Sequence, residues 1–146
     1  MAQTVADVLA QAELYTDEAD YIMIHLPARA ITSAASVLAE VGDPFSGLIV
    51  DKDEVTLILD VEAYEEYKKR LHGHQAEMGL WRLITFDMEL ESDLLGFMAT
   101  VSKALADAGI SILPLAAYSR DHILVPAERI DDAIATLNTL KSNFTS

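Results

Sequence analysis

Two stretches of this chain carry residues that could do chemistry together. One runs Ser92-Asp93-Leu94-Leu95-Gly96-Phe97 and leads into an amphipathic helix; the other places Asp121 in a tight turn between two apolar runs. The first turn of a helix presents backbone N–H groups that lack intrahelical acceptors, and the helix dipole favours negative charge there. An anionic group would suit such a start, while a cationic one would need Asp93 or Asp121 as its counter-charge. Both aspartates also have an ordinary reading, Asp93 as a helix N-cap and Asp121 as a turn residue. Gly96 gives up roughly 1 kcal/mol of propensity in the first helical turn, which predicts close approach to its backbone. Gly109 follows the end of the same helix and is expected to cap it.

Other candidates are weaker. His72-Gly73-His74 would touch a metal only with a third ligand, which the spacing does not supply, so an exposed helix end is expected and no metal or cofactor site is predicted. The run Asp51-Lys52-Asp53-Glu54 superficially resembles a calcium loop, but Thr56 stands where the sharp-turn glycine must be. His25 falls on an apolar strand and is expected as a satisfied core or interface histidine. No nucleophile elbow, P-loop or dinucleotide fingerprint is present.

These residues need elements to position them. Thr4 can cap a leading helix with Val5, Val8, Leu9 and Ala12 on one face. Residues 21–26 read as a buried strand stopped by Pro27, and 30–41 as a helix ended by Gly42. Asp43-Pro44 starts a turn, and a hairpin follows over 45–59. Asp60 can cap a helix carrying Val61, Tyr64, Tyr67 and Leu71 inward, and 72–79 reads as a linker. Residues 81–90 alternate as a half-buried strand, and a helix follows Gly96. A hairpin over 110–125 and a last helix opened by Pro126 complete the chain.

The order strand, helix, strand, strand, helix thus occurs twice. Residues 50–55 align with 118–123, which sets Asp53 opposite Asp121. Only the second copy has an inserted loop, 91–95, between strand and helix. The division expected is an N-terminal half over 1–75 with its leading helix and a C-terminal half over 76–146. Each half shows three clear strands, which predicts that the halves pair or exchange strands to cover their edges.

Composition narrows the function. The 146 residues are 51% hydrophobic, enough for a good core. A formal charge of -14 repels phosphate backbones and anionic lipids, so neither nucleic acid nor a membrane is expected as a partner. With no cysteine there is no disulfide and no thiolate chemistry. No basic, apolar leader is visible, and a cytoplasmic location is expected.

Several segments together resemble ACT domains, ferredoxin-like modules that bind amino acids and regulate metabolism, and in particular tandem-ACT proteins related to CASTOR-type arginine sensors. Leu94-Leu95-Gly96-Phe97-Met98-Ala99 is similar to the family's Gly-Ile-Leu-Ala segment. The run from Leu105 to Ile112 resembles its helix-to-strand junction, and that from Ala117 to Val125 its second hairpin. The resemblance implies an α+β fold of two ferredoxin-like halves, antiparallel sheets with helices on one face. It implies a non-catalytic regulator or sensor that binds a free amino acid or similar metabolite through Ser92, Asp93, Leu94, Leu95, Gly96, Phe97, Tyr118 and Asp121. A homodimer is implied as well, because ligands of the family sit between modules. Ala116-Ala117 stands in place of the family's Ser-Thr and His122 in place of a phenol, so arginine specificity is not carried over. The alternatives are a small ferredoxin-like enzyme and an interaction module without a ligand.

Overall fold

The computed structural model describes residues 2–42 and 44–145; the turn expected at Asp43 lies outside the described residues. Its elements are α1 (Val5–Gln11), β1 (Glu13–Tyr15), β2 (Tyr21–Pro27), α2 (Ile31–Val41), β3 (Gly47–Val50), β4 (Glu54–Asp60), α3 (Val61–Tyr67) and β5 (Gln75–Ala76). They continue as β6 (Trp81–Asp87), α4 (Phe97–Asp107), β7 (Leu113–Ala116), β8 (Asp121–Pro126) and α5 (Ile130–Ser142). The chain forms two compact units: residues 19–81, and residues 82–146 together with 1–18.

In the unit of residues 19–81 the strands lie in the order β3-β4-β2-β5, the ferredoxin-like arrangement. The β2–β4 register sets Ile24 against Leu57 and Leu26 against Val55. Strand alternation sends Ile22, Ile24, Leu26, Val55, Leu57 and Leu59 to one face, where they pack with Ala34 and Val37 of α2. Asp60 caps α3 through the Ala63 N–H, at 2.6 Å. The fourth strand, β5, occupies the expected linker and pairs with β2 at Ile24↔Ala76 and His25↔Gln75. His74 holds the approach to it, with Nδ1 2.7 Å from the Leu71 carbonyl and Nε2 3.0 Å from the Tyr64 hydroxyl.

The other unit has the same order, β1-β6-β8-β7, but its fourth strand comes from the start of the chain. Glu13, Leu14 and Tyr15 pair antiparallel with Asp87, Phe86 and Thr85. The expectation of strand exchange is therefore met on one side only: residues 82–146 take a strand from the leading segment, while 19–81 close with their own short β5. The leading helix, attached by chain order to the first half, packs instead in the core of this second unit. Val8, Leu9 and Ala12 are buried there with Phe86, Phe97, Val101 and Leu137. Its start is fixed by a capping box, with Thr4 Oγ1 accepting from the Asp7 N–H and Asp7 Oδ2 accepting from the Thr4 N–H, both at 3.1 Å. Its end is held by Lys141 of α5, whose Nζ donates to the carbonyls of Leu9 and Ala12.

His25 lies outside the core, one of the two places expected of it. Its neighbours Ile24 and Leu26 face the core, so alternation turns it to the open face of the sheet, where Nε2 lies 3.3 Å from Glu54 Oε1.

Candidate functional site

Strand β6 ends at Asp87, and nine residues pass before α4 begins at Phe97. Asp93 is therefore not the N-cap expected of it. It sits in an exposed turn closed by the Leu94 N–H on the Glu91 carbonyl at 3.1 Å, and the N-cap is Gly96 at φ +82°. A left-handed φ is cheap only for glycine, so Gly96 is there for its own backbone conformation and not for close approach. A Cβ at Gly96 would meet only Val5 Cγ2, at 4.0 Å. No side chain caps α4, and its first amides, those of Phe97, Met98 and Ala99, are left without intrahelical acceptors. The other end closes with bonds from Gly109 N–H to Ala106 and from Ile110 N–H to Leu105, both 2.9 Å, the capping expected of Gly109.

A cavity of about 440 Å³ opens at this corner, a volume in the range of small-molecule sites. One wall is Leu90, Glu91, Ser92 and Leu94; its end is Gly96, Phe97, Met98 and Ala99; the opposite wall is Ala116 through Asp121. The Leu90 N–H donates to the Ser119 carbonyl at 2.7 Å and joins the two walls. Six of the eight residues singled out from the sequence thus lie around one space: Ser92, Leu94, Gly96, Phe97, Tyr118 and Asp121. Asp93 and Leu95 do not line it, and Leu95 is 85% exposed. Phe97 is buried against Phe86, edge to face at 5.0 Å, and anchors the helix start.

Asp121 owes its setting to register. The Ala117 N–H bonds the Arg120 carbonyl just as the Asp51 N–H bonds the Glu54 carbonyl, and Ala116 pairs Asp121 just as Val50 pairs Val55. The counterpart of Asp121 is therefore the buried Val55, not Asp53, and the alignment from sequence is two residues out. Like Ile123 and Val125 beyond it, Asp121 falls on the helix-facing side of its strand. Burial holds its carboxyl above the ordinary 3.8, against the opposing pull of His122. No hydrogen bond or ion pair reaches that carboxylate among the described residues.

Arg120 brings a positive charge to the same wall. Its Nε lies 2.9 Å from Asp87 Oδ1, and its Nη1 3.3 Å from Ser119 Oγ. His122 turns the other way, with Nδ1 2.7 Å from Thr85 Oγ1; burial pushes its ring below the ordinary 6.5, Asp121 opposing and Arg120 adding to the shift. Arg120 and Glu91 also line the cavity; each adjoins an expected site residue, Asp121 and Ser92, but no motif in the sequence marks either one. Among the described residues no cluster of histidine and carboxylate side chains could hold a metal ion, and no helix is long and apolar enough to cross a membrane.

Residues 79–139 match the ACT domain family, a span that contains the whole cavity. The fold is similar to that of solved structures over nearly the full chain. A Vibrio cholerae protein of unknown function shares 24% identity at a TM-score of 0.70, covering 91% of this chain and 92% of its own. The regulatory subunit of aspartate kinase from Thermus thermophilus, in a ligand-free form, shares 15% identity at a TM-score of 0.67, covering 89% and 97%. An Agrobacterium tumefaciens protein shares 20% identity at 0.68, covering 92% and 89%.

Proposed function

We propose that the chain is a non-catalytic regulatory protein that binds a free α-amino acid in the cavity beside α4, and that residues 19–81 are a second ACT-like module without such a site. One observation carries this reading: the uncapped start of α4 and Asp121, whose carboxylate has no hydrogen bond or ion pair among the described residues, line the same cavity. An amino acid matches both ends. Its carboxylate suits the helix start, and its ammonium would give Asp121 the partner it lacks. Leu94, Phe97, Met98 and Ala116 line the space beside Glu91 and Arg120, so the lining is apolar in part and charged in part. The ACT match and the likeness to regulatory subunits of aspartate kinase support a regulatory role over catalysis.

Leu95 and Tyr118, at 85% and 102% exposure, stand beside the cavity as large apolar groups open to solvent. They support a homodimer that covers the site, and sedimentation at the 16.0 kDa monomer mass with and without ligand would argue against it.

Thermal-shift screening against the free amino acids tests the function. A ligand at 100 times its dissociation constant should add about 2.7 kcal/mol of stability. Silence to every amino acid would overturn the reading in favour of an interaction module.

A further inference from the structure

Gln3 is not among the residues that line the cavity, yet it holds the rim. Its side-chain Nε2 donates to the Glu89 carbonyl at 2.8 Å, and its Oε1 accepts from the Glu91 N–H at 2.7 Å. Its backbone N–H adds a third bond, to Glu91 Oε2 at 2.9 Å. A primary amide that takes the carbonyl of one residue and the N–H of the second after it satisfies that segment as a neighbouring strand would. Glu91 is thus fixed through both its backbone and its carboxylate, and Glu91 lines the cavity beside Leu90. The amide also does this without adding charge next to Glu89 and Glu91, which matters in a chain of formal charge -14.

The first turn of α1 holds Gln3 in turn. The Thr4–Asp7 capping box orders the adjoining residues, and Val5 packs against the core on the side of Gly96. A continuous set of contacts therefore runs from the leading helix, through Gln3, to the loop that precedes α4.

We propose that Gln3 is a positioning residue for the cavity: it sets the rim at Glu91, so that ligand affinity depends on a leading segment that does not touch the ligand. This rests on the reading of the cavity as an amino-acid site. Docking of the leading segment and occupancy of the cavity are then linked, and each strengthens the other by the same factor.

Gln3→Ala and Gln3→Glu test the proposal against Arg129→Met. The last releases the Ala108 and Gly109 carbonyls at the far end of α4 and loosens the same unit without touching the rim. Gln3→Glu keeps the acceptor for the Glu91 N–H but loses the donor to Glu89 and sets a carboxylate beside Glu91. Two readouts are taken: amide hydrogen exchange resolved over residues 89–96, and calorimetric affinity for the amino acid that gives the largest thermal shift. Both Gln3 variants should speed exchange over 89–96 and weaken binding by roughly tenfold, within the range usual for coupled sites. Arg129→Met should do neither at that segment. Unchanged exchange, or faster exchange with unchanged affinity, would overturn the proposal. If the wild-type chain binds no amino acid, the proposed function falls, and the exchange comparison still decides whether Gln3 sets the rim.

Discussion

The two units build one scaffold and differ at one corner. In residues 19–81 the chain passes from Pro27 through a single 3-10 turn, Ala28–Ala30, straight into α2. In the other unit the loop 88–96 stands between strand and helix, and a left-handed Gly96 turns the chain into α4 with its first amides open. The hairpins differ in the same sense. Asp51 spends Oδ1 on its own turn, accepting the Asp53 and Glu54 N–H groups at 2.8 and 3.0 Å, and buried Val55 follows. At 117–121 the backbone closes the turn alone, and a carboxylate occupies the place of the valine. A site of this kind needs few residues: a longer loop, one glycine, and one charge where its twin unit keeps core.

The comparison breaks first at its anchors. Phe97→Ala should cost about 3–5 kcal/mol, as expected for a buried aromatic, and should remove ligand binding. Leu57→Ala, in the core of the other unit, should cost about 2–5 kcal/mol and leave affinity unchanged in the fraction that stays folded. Denaturant titrations paired with calorimetry check both.

A sharper cut exchanges the charge for its counterpart. Asp121→Val should lose about 1.5–3 kcal/mol of ligand affinity, the range for a hydrogen bond to a charged group, without losing stability, because the desolvated carboxylate is replaced by the residue its twin position carries. Asp53→Asn should change neither, since Asp53 only pairs with exposed Lys52. Equal effects of the two substitutions would remove the distinction between the hairpins.

Gly96→Ala and Gly42→Ala should each cost about 1 kcal/mol, because both glycines hold a positive φ, +82° and +84°. Only Gly96→Ala should alter the thermal response to a ligand. The smallest effect is on pH dependence. Folding lowers the affinity of His122 for a proton, so its contribution to stability is lost as pH falls through 6.5 toward the lower folded value. His122→Gln should flatten that loss in melts from about pH 7 to about pH 5. Asp121 acts in the opposite sense nearer its own range: its raised carboxyl value means that stability rises as pH falls toward 3.8.

The long periodic elements were legible in the sequence because alternation and helical spacing reach over five or more residues, as in Ile22-Ile24-Leu26 or Phe97-Val101-Leu105. Strands β1 and β5 were not. Three and two residues carry no period, and what makes them strands is an edge supplied by residues far along the chain. Part of the cavity lining was legible in the sequence, since Ser92, Leu94, Gly96, Phe97, Tyr118 and Asp121 gather around one space, while Asp93 and Leu95 do not line it. Its internal logic was not. Propensity alone does not distinguish a glycine needed for its φ from one needed for its size. A hairpin alignment that rewards matching aspartates slides past the register that backbone pairing imposes.

The borrowed strand also has a bearing on how the chain acquires its structure. Residues 13–15 leave the ribosome before their partners, 85–87, which follow only after every residue of the 19–81 unit has been made. The inserted unit can close on local pairings while the outer one waits, with the open edge of β6 as a place where a second nascent chain could offer its own leading strand. Closing so long a loop adds only about 0.6 kcal/mol for each doubling of its length, so the arrangement costs little once formed. What it delays is completion, since contacts distant in sequence slow folding far more than they weaken the product.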